Sequence, residues 1–432
     1  MELSEDSKNI LTTLEDSWDH IFLTGNAGTG KSTLLDQFRK NTKKQVAVVA
    51  PTGVAAVNVK GETIHSFFKV PPAITPRQAA EEARKTRNTK IYQSLQTLII
   101  DEISMVRADL LDSIDIYLKT VRKVSLPFGG VQLIMVGDLY QLPPVVTNQE
   151  REAIDSIYSS PFFFSANVFA EIQSNLYTKV KLIELEKIYR QNDLKFISVL
   201  NRIRNDEAST EDLSVINRQL ISDGEELENY IILTAINAQA DAINNAKLAE
   251  IIGVPRHFHA KVSGFFNENQ SPAPQDLSLK TGARVMFLNN DPGDRWINGT
   301  VGTVFTLTED IVRVKIDNGD LVDVDANTWT SYKTEFDQEK SCLVSKEVGS
   351  YKQIPLKLAW AVTIHKSQGK TFDRVAIDLG RGAFAHGQTY VALSRCTSLS
   401  GIKLLRPIEK HHIIMDKRVV DFISRLRNGE GW

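Results

Sequence analysis

The chain has 432 residues, 24% charged and 42% hydrophobic, with a formal charge of −2. That length implies about two to four domains with more than one core, and near-neutrality excludes a global basic field, so nucleic acid would have to be met by a local groove. Two cysteines, Cys342 and Cys396, are too few for a disulfide framework or a metal cluster and suit a reducing compartment.

The stretch Met1 to Asp6 is acidic with no apolar h-region, and nothing approaches the ~18 uninterrupted apolar residues of a membrane span. A cytoplasmic protein of bacterial type, with no membrane partner, is expected. Residues 8–19 read as a helix leading into a first strand over 20–23. Gly25-Asn26-Ala27-Gly28-Thr29-Gly30-Lys31-Ser32 follows, with the GxxxxGKS spacing of a phosphate-binding loop. Glycines let backbone N–H groups turn inward around a polyanion, and the helix start adds partial positive charge. Gly25, Ala27, Gly28, Thr29, Gly30 and Thr33 are therefore expected to cradle ATP, with Lys31 neutralising the β- and γ-phosphates and Ser32 holding Mg²⁺.

Apolar runs at 45–50, 97–100 and 131–136 read as strands separated by helical patterns, which signals βαβ units with ligands at the carboxyl ends of the strands. The polar segment at 70–90 is a small subdomain or a solvated connection. A second α/β set begins after Leu185, with a strand at 230–233. Short alternating strands at 283–288, 302–307, 311–316 and 321–324 interrupt it, the last two joined by Asn318-Gly319, a hairpin signal. The α/β pattern resumes at Leu356, with strands at 374–379 and 401–405, and a mixed basic helix spans about 415–428. The expected layout is a first α/β domain over 1–185 with an insertion at 70–95, then a second over 186–432 with a β-barrel inserted at 260–345 and a helical tail over 406–432.

Leu98-Ile99-Ile100-Asp101-Glu102 is an apolar strand delivering two carboxylates. A phosphate-loop ATPase needs one acid to position Mg²⁺, here Asp101, and another to orient attacking water, here Glu102. Gly137-Asp138-Leu139-Tyr140-Gln141-Leu142-Pro143-Pro144 ends another strand and puts the neutral amide of Gln141 near the γ-phosphate; a plain turn is the alternative.

These motifs, with Ala50-Pro51-Thr52-Gly53-Val54-Ala55-Ala56 and Val362-Thr363-Ile364-His365-Lys366-Ser367-Gln368-Gly369, resemble the successive motifs of superfamily 1 helicases. The set is most similar to the Pif family of superfamily 1B, related to RecD and Dda helicases; Glu102-Ile103-Ser104-Met105 and the segment through Asp115 carry the family signature. Thr371 fits that family better than the Glu common in RecD-like chains. The resemblance implies two RecA-like parallel-sheet P-loop domains, an SH3-like β-barrel insertion in the second, and a 5′ to 3′ DNA helicase using ATP and Mg²⁺. It also implies arginine fingers at Arg190 and Arg395, in Tyr189-Arg190-Gln191 and Ala392-Leu393-Ser394-Arg395-Cys396, and a nucleotide contact at Gly369. Only Arg offers a planar fork of donors to the γ-phosphate oxygens. Related helicases often read adenine with a Gln upstream of the first strand; Leu3 to Asn9 holds none, leaving backbone groups or Asn9 for that task.

By the same resemblance, the strand path is expected at Thr52, Gly53, His65, Ser66, Phe67, Thr234, Asn237, Thr363, His365 and Lys366, where small polar groups bond phosphates without reading sequence. The histidines are alternatively core residues, and Thr234 a strand-end cap. Phe67-Phe68, Phe265-Phe266 and Trp296 either stack bases or pack a core. The partners expected are single-stranded DNA and its junctions with duplex or G-quadruplex, engaged by a monomer. An RNA helicase or remodeller, or a nucleotide-gated clamp that does not unwind, are the rival readings.

Overall fold

The computed structural model describes residues 5–26, 28–71, 74–174, 178–187, 191, 193–222, 224–266, 271–340, 342–380, 382–430 and 432. Ala27 and Arg190 lie outside the described residues. The first sheet is built from β1 (His20–Gly25), β2 (Val46–Ala50), β3 (Glu62–Thr63), β4 (Thr97–Ile100), β5 (Gln132–Val136) and β6 (Val180–Leu185). Its order is β3-β2-β4-β5-β1-β6, with every pairing parallel. The central strands β1, β4 and β5 are buried along their whole length, which is why they read as unbroken apolar runs rather than alternating ones.

The phosphate-loop helix runs Lys31–Asn41, two residues earlier than the apolar pattern suggests. Gly30 explains the shift: at φ 85° it makes the left-handed turn that lets the helix start on the next residue, a conformation glycine adopts without steric cost. The 70–95 segment holds helices Pro76–Lys85 and Lys90–Ser94. The first is capped by a Thr75–Gln78 capping box and packs Ala79 and Ala83 inward against helix Ala108–Arg122, so it is a packed element of the first domain rather than a solvated connection.

After β7 (Ile231–Thr234) the chain enters antiparallel strands β8 (Arg256–His259), β9 (Lys261–Gly264), β10 (Asp276–Leu279), β11 (Arg284–Phe287), β12 (Val301–Leu307), β13 (Val312–Ile316), β14 (Leu321–Val324), β15 (Asn327–Asp337), β16 (Cys342–Gln353) and β17 (Leu356–Leu358). These run from Arg256 to Leu358, a wider span than 260–345. A five-stranded sheet β14-β13-β12-β11-β17 closes over its own core, which includes Phe258, Val285, Phe287, Trp296 and Val314. The long β15–β16 hairpin leaves that core and reaches the first domain. Leu343 N–H donates to Gln45 Oε1 at 2.7 Å, and Thr334 N–H donates to the buried carboxylate of Glu62.

The chain then completes the second parallel sheet with β18 (Ala361–Thr363), β19 (Val375–Asp378) and β20 (Ile402–Leu404), in the order β18-β7-β19-β20. The tail helix, Lys417–Arg427, starts at Asp416, whose side chain caps Arg418 N–H. Its apolar stripe, Val419, Phe422 and Ile423, has the i, i+3, i+4 spacing of a core-facing helix, but the core it enters is that of the first domain. Phe422 stacks on Phe164 at 4.2 Å, and Trp432 stacks on Phe169 at 4.0 Å. Among the described residues no helix is long and apolar enough to cross a membrane.

Phe422→Ala removes an aromatic ring that is 1% exposed and joins the tail to the first domain. Its expected cost is about 3–5 kcal/mol, read as a fall in the thermal unfolding midpoint; an unchanged midpoint would show that the tail does not hold the two domains together.

Candidate functional site

The loop after β1, the carboxyl ends of β4 and β5 and the helix Leu194–Arg204 converge at one seam. Lys31 Nζ donates to the carbonyls of Gly25 at 2.8 Å and Asn26 at 3.1 Å. Burial pulls its pKa down, and the carboxylates of Asp138 and Glu102 oppose that pull. Burial likewise raises Asp101 and Glu102 above the usual carboxylate range; for Glu102 the Asp101 charge adds to the effect, while Lys31 and Arg395 act against it. Glu102 also sits at φ 51°, a left-handed conformation that costs a residue with a side chain roughly 1–3 kcal/mol and recurs where function demands a fixed geometry.

Asp138 is 2% exposed and yet stays below its ordinary pKa: burial alone would raise it, but Arg204 and Lys31 outweigh that. Arg204 Nη2 lies 3.2 Å from Asp138 Oδ1, and its guanidinium packs 3.9 Å from the centre of the Tyr140 ring. Gln141 does not project freely towards a phosphate; its Nε2 donates to Asp138 Oδ2 at 3.2 Å. Three further contacts fasten the two domains. Asn26 Nδ2 donates to Asn201 Oδ1 at 3.2 Å. His386 donates through Nε2 to Leu139 O at 2.7 Å, because its Nδ1 accepts from Asp416 N–H at 2.8 Å. Gly387, at φ 69°, lies so close that a Cβ there would be 2.4 Å from Tyr140 O.

Arg395 is 1% exposed, its Nε donating to Val391 O at 3.0 Å and its Nη1 reaching Ser367 O and Lys370 O at 3.4 Å. Its charge is felt at Glu102 across the seam. Of the expected nucleotide contacts, Ser32, Thr33 and Gly369 are exposed, Gly28 is half-buried, and Thr29 is buried with its Oγ1 donating to Asn26 O at 2.9 Å.

The expected strand contacts divide into two groups. Thr52 caps helix Gly53–Asn58 and Thr63 caps Ile64–Phe68, which presents Gly53, His65 and Ser66 to a cleft of about 660 Å³ whose far wall is Phe265 and Phe266. Asn237 and Lys366 are exposed on the second domain, with His365 half-buried beside them. The hydroxyls of Thr234 and Thr363 are instead spent internally: Thr234 Oγ1 donates to Ile236 O, and Thr363 Oγ1 donates to Asn237 Oδ1 at 3.3 Å while accepting from Lys366 N–H. Burial lowers the pKa of both His65 and His365, favouring neutral rings.

Of the aromatic residues, Phe67 is corrected as a strand contact, while Trp296 and Phe266 take the core-packing alternative. Phe67 is 4% exposed and meets Phe68 at 4.9 Å and Tyr92 at 5.5 Å, so its ring belongs to the first core rather than to the strand path. Trp296 packs 4.7 Å from Phe287 inside the insertion. Phe266 stacks on Tyr351, which leaves Phe265, 71% exposed, as the free ring of its pair.

Arg204, Asn201, His386 and Glu62 were not singled out by sequence. The one available signal was the basic end of an amphipathic helix following Gln191, which solvated arginines share.

Arg204→Gln strands the Asp138 carboxylate in a buried seam and is expected to cost about 3–5 kcal/mol, whereas pairing it with Asp138→Asn recovers most of that loss. Thermal unfolding of the two singles and the double closes the cycle; additive losses would mean the two charges do not interact.

The PIF1-like helicase family matches residues 2–213. The ATP-dependent DNA helicase Pif1 of Bdellovibrio bacteriovorus is 33% identical over 437 residues, covering 99% of this chain and 92% of its own. Human ATP-dependent DNA helicase PIF1 is 34% identical over 99% of this chain, which spans 64% of that longer protein. The crystal structure of Bacteroides Pif1 with ADP-AlF4 superposes with a TM-score of 0.91 at 38% identity, covering 99% of this chain and 98% of that one; the same protein bound to single-stranded DNA gives 0.69, covering 100% and 98%. With this likeness sustained along nearly the whole chain and through its architecture, the chain belongs to the PIF1-like helicase family.

Proposed function

We propose that the chain is an ATP-dependent DNA helicase that moves 5′ to 3′ along single-stranded DNA and opens duplex or G-quadruplex junctions ahead of it. The observation that carries this reading is the meeting of Lys31, Asp101, Glu102, Asp138 and Arg395 where two parallel sheets abut, with a cleft on the same molecule lined by Gly53, His65 and Ser66. One chain supplies both sides of that seam, so a single copy contains a complete motor.

The donor set fits Mg²⁺-ATP. The exposed hydroxyl of Ser32 and the carboxylate of Asp101 are hard oxygen ligands, and a divalent cation would favour the ionised form of Asp101, whose pKa burial raises. Bound there, the nucleotide supplies a phosphoanhydride whose hydrolysis is strongly favourable. Lys31 exchanges its carbonyl partners for phosphate oxygens, and Glu102, an acceptor with a raised pKa, takes the proton of the attacking water. Arg395 faces the developing charge from the second domain, and the family resemblance assigns Arg190 the same duty. Because the acid pair stands on the first domain and Arg395 on the second, the reaction is fastest when the seam is closed, and closure moves one strand-gripping surface relative to the other.

Lys31→Ala and Glu102→Gln are expected to lower ATP turnover by at least about 100-fold with the far-ultraviolet spectrum unchanged; full turnover in either variant refutes the site. Arg395→Ala and Arg190→Ala should bind a fluorescent ATP analogue and hydrolyse ATP poorly, and normal turnover in both removes the finger assignment. Strand displacement with ATP and Mg²⁺ on 5′-tailed against 3′-tailed duplexes tests polarity: unwinding confined to 3′ tails reverses it, and none on either tail leaves a clamp.

A further inference from the structure

Where the insertion joins the second parallel sheet, three lysines crowd together. Lys357 on β17 is the direct cross-strand partner of Met286 on β11, so both side chains stand on one face of that antiparallel pair. The ammonium of Lys370 lies 3.4 Å from Met286 Sδ. Lys366 is exposed four residues upstream on the same turn. Gly299 closes the site from the insertion side, a Cβ there falling 3.2 Å from Lys370 Cβ. Beside Lys370, the Nε2 of Gln368 is a buried donor with no hydrogen-bond partner among the described residues.

The electrostatics are unfavourable as they stand. Burial takes the Lys357 pKa well below its usual value, the charges of Lys370 and Lys366 push it further, and only Asp241 opposes them. Burial alone brings Lys370 down to about 8, with no acid acting on it. Such a cluster of amines beside an orphaned donor is tolerated by shedding protons, and an entering anion would favour its charged form and satisfy the donor. The candidate anions here are phosphates. The charges acting most strongly on Lys31 are those of Asp138, Glu102, Arg204 and Asp101, with none of the three lysines among them. The cluster is continuous with the strand-facing turn, where Thr363 Oγ1 bonds Asn237 and Lys366 is exposed.

We propose that Lys357, Lys366 and Lys370, with the amide of Gln368, form a phosphate-binding site at the joint between the insertion and the second domain, occupied by a backbone phosphate of the bound single strand. The proposal rests on the nucleic-acid reading above. It also gives the turn a second duty, because the carbonyl of Lys370 accepts from Arg395 at 3.4 Å, so a phosphate drawn to the ammonium and the arginine facing Glu102 share one short segment.

The test is binding of a fluorescein-labelled oligothymidylate, followed by anisotropy over a range of salt concentrations, for the whole chain and its Lys357→Met and Lys370→Met variants. Each variant should bind on the order of 5-fold more weakly, with the slope of log K against log salt shallower by about 0.7, while Lys357→Arg keeps most of the affinity. The KM for ATP without DNA should not move. The thermal midpoint should hold or rise, since a crowded charge is lost. Unchanged oligonucleotide affinity and slope in both variants overturns the proposal, as does a shift confined to the ATP KM, which would give the site to the nucleotide. A lower midpoint with DNA binding intact would make the lysines structural and also overturns it. If the unmodified chain fails to bind the oligonucleotide at all, the helicase reading falls first.

Discussion

Six charges crowded out of water set the terms for this molecule. Lys31, Asp101, Glu102, Asp138, Arg204 and Arg395 each lie where burial disfavours ionisation, and each is tolerable because another stands nearby. The central member is Asp138. Its single carboxylate answers a lysine on the phosphate loop of one domain and an arginine on a helix leading into the other. In a medium of low effective dielectric such a shared counter-charge cannot be surrendered by one partner without cost to the other. Any change in the surroundings of Lys31 therefore changes the field at Asp138, and with it the hold on Arg204, so the phosphate loop and the domain seam are tied by electrostatics.

The turn that carries Asp138 does more than hold charge. Its next residues give Leu139 O to His386 and bring Tyr140 O against Gly387, so a single turn after β5 meets the second domain at three successive residues. Gly387 has no tolerated substitute at that distance, and His386 is fixed as the Nε2–H tautomer by the Asp416 N–H that occupies its other nitrogen. Asp416 in turn caps the tail helix whose Phe422 is packed against Phe164. A path of direct contacts thus runs from the phosphate loop, through the turn, to the helix that stitches the end of the second domain into the first.

The parts of this arrangement legible in the sequence are those in which the chain must repeat a local rule. The phosphate loop, the strand-ending acids and the buried strands announce themselves by spacing and by unbroken apolar runs. The β15–β16 hairpin does not, because Asn327–Asp337 and Cys342–Gln353 carry Thr, Ser, Lys and Glu on both faces and acquire their order from each other and from Glu62 and Gln45. Phe67 misled for the opposite reason: an aromatic side chain in a motif looks the same whether it faces a base or a core, and here Tyr92 claims it; the same ambiguity left Trp296 open until its packing on Phe287 resolved it as core. Arg204 was invisible because its meaning lies in a partner 66 positions away. The whole-chain resemblance to a helicase family carried the order of the motifs but not which hydroxyls among them are already spent, as those of Thr234 and Thr363 are.

The insertion belongs to neither parallel sheet and touches both domains. Its hairpin leans on the first through Glu62 and Gln45, while its root meets the second where Met286 contacts Lys370. A body fixed at two points on two domains ties them together, so any change in their spacing would load one of these contacts. The hairpin contact combines two backbone donors with Phe336 and Leu343, which pack against the core, whereas the root is continuous with the β17–β18 connection. The cleft lined by Gly53, His65 and Ser66 on one side and Phe265 and Phe266 on the other lies between those same two bodies. Glu62, which accepts from the hairpin's Thr334 N–H, lines that cleft as well, so the hairpin contact and the cleft share a residue.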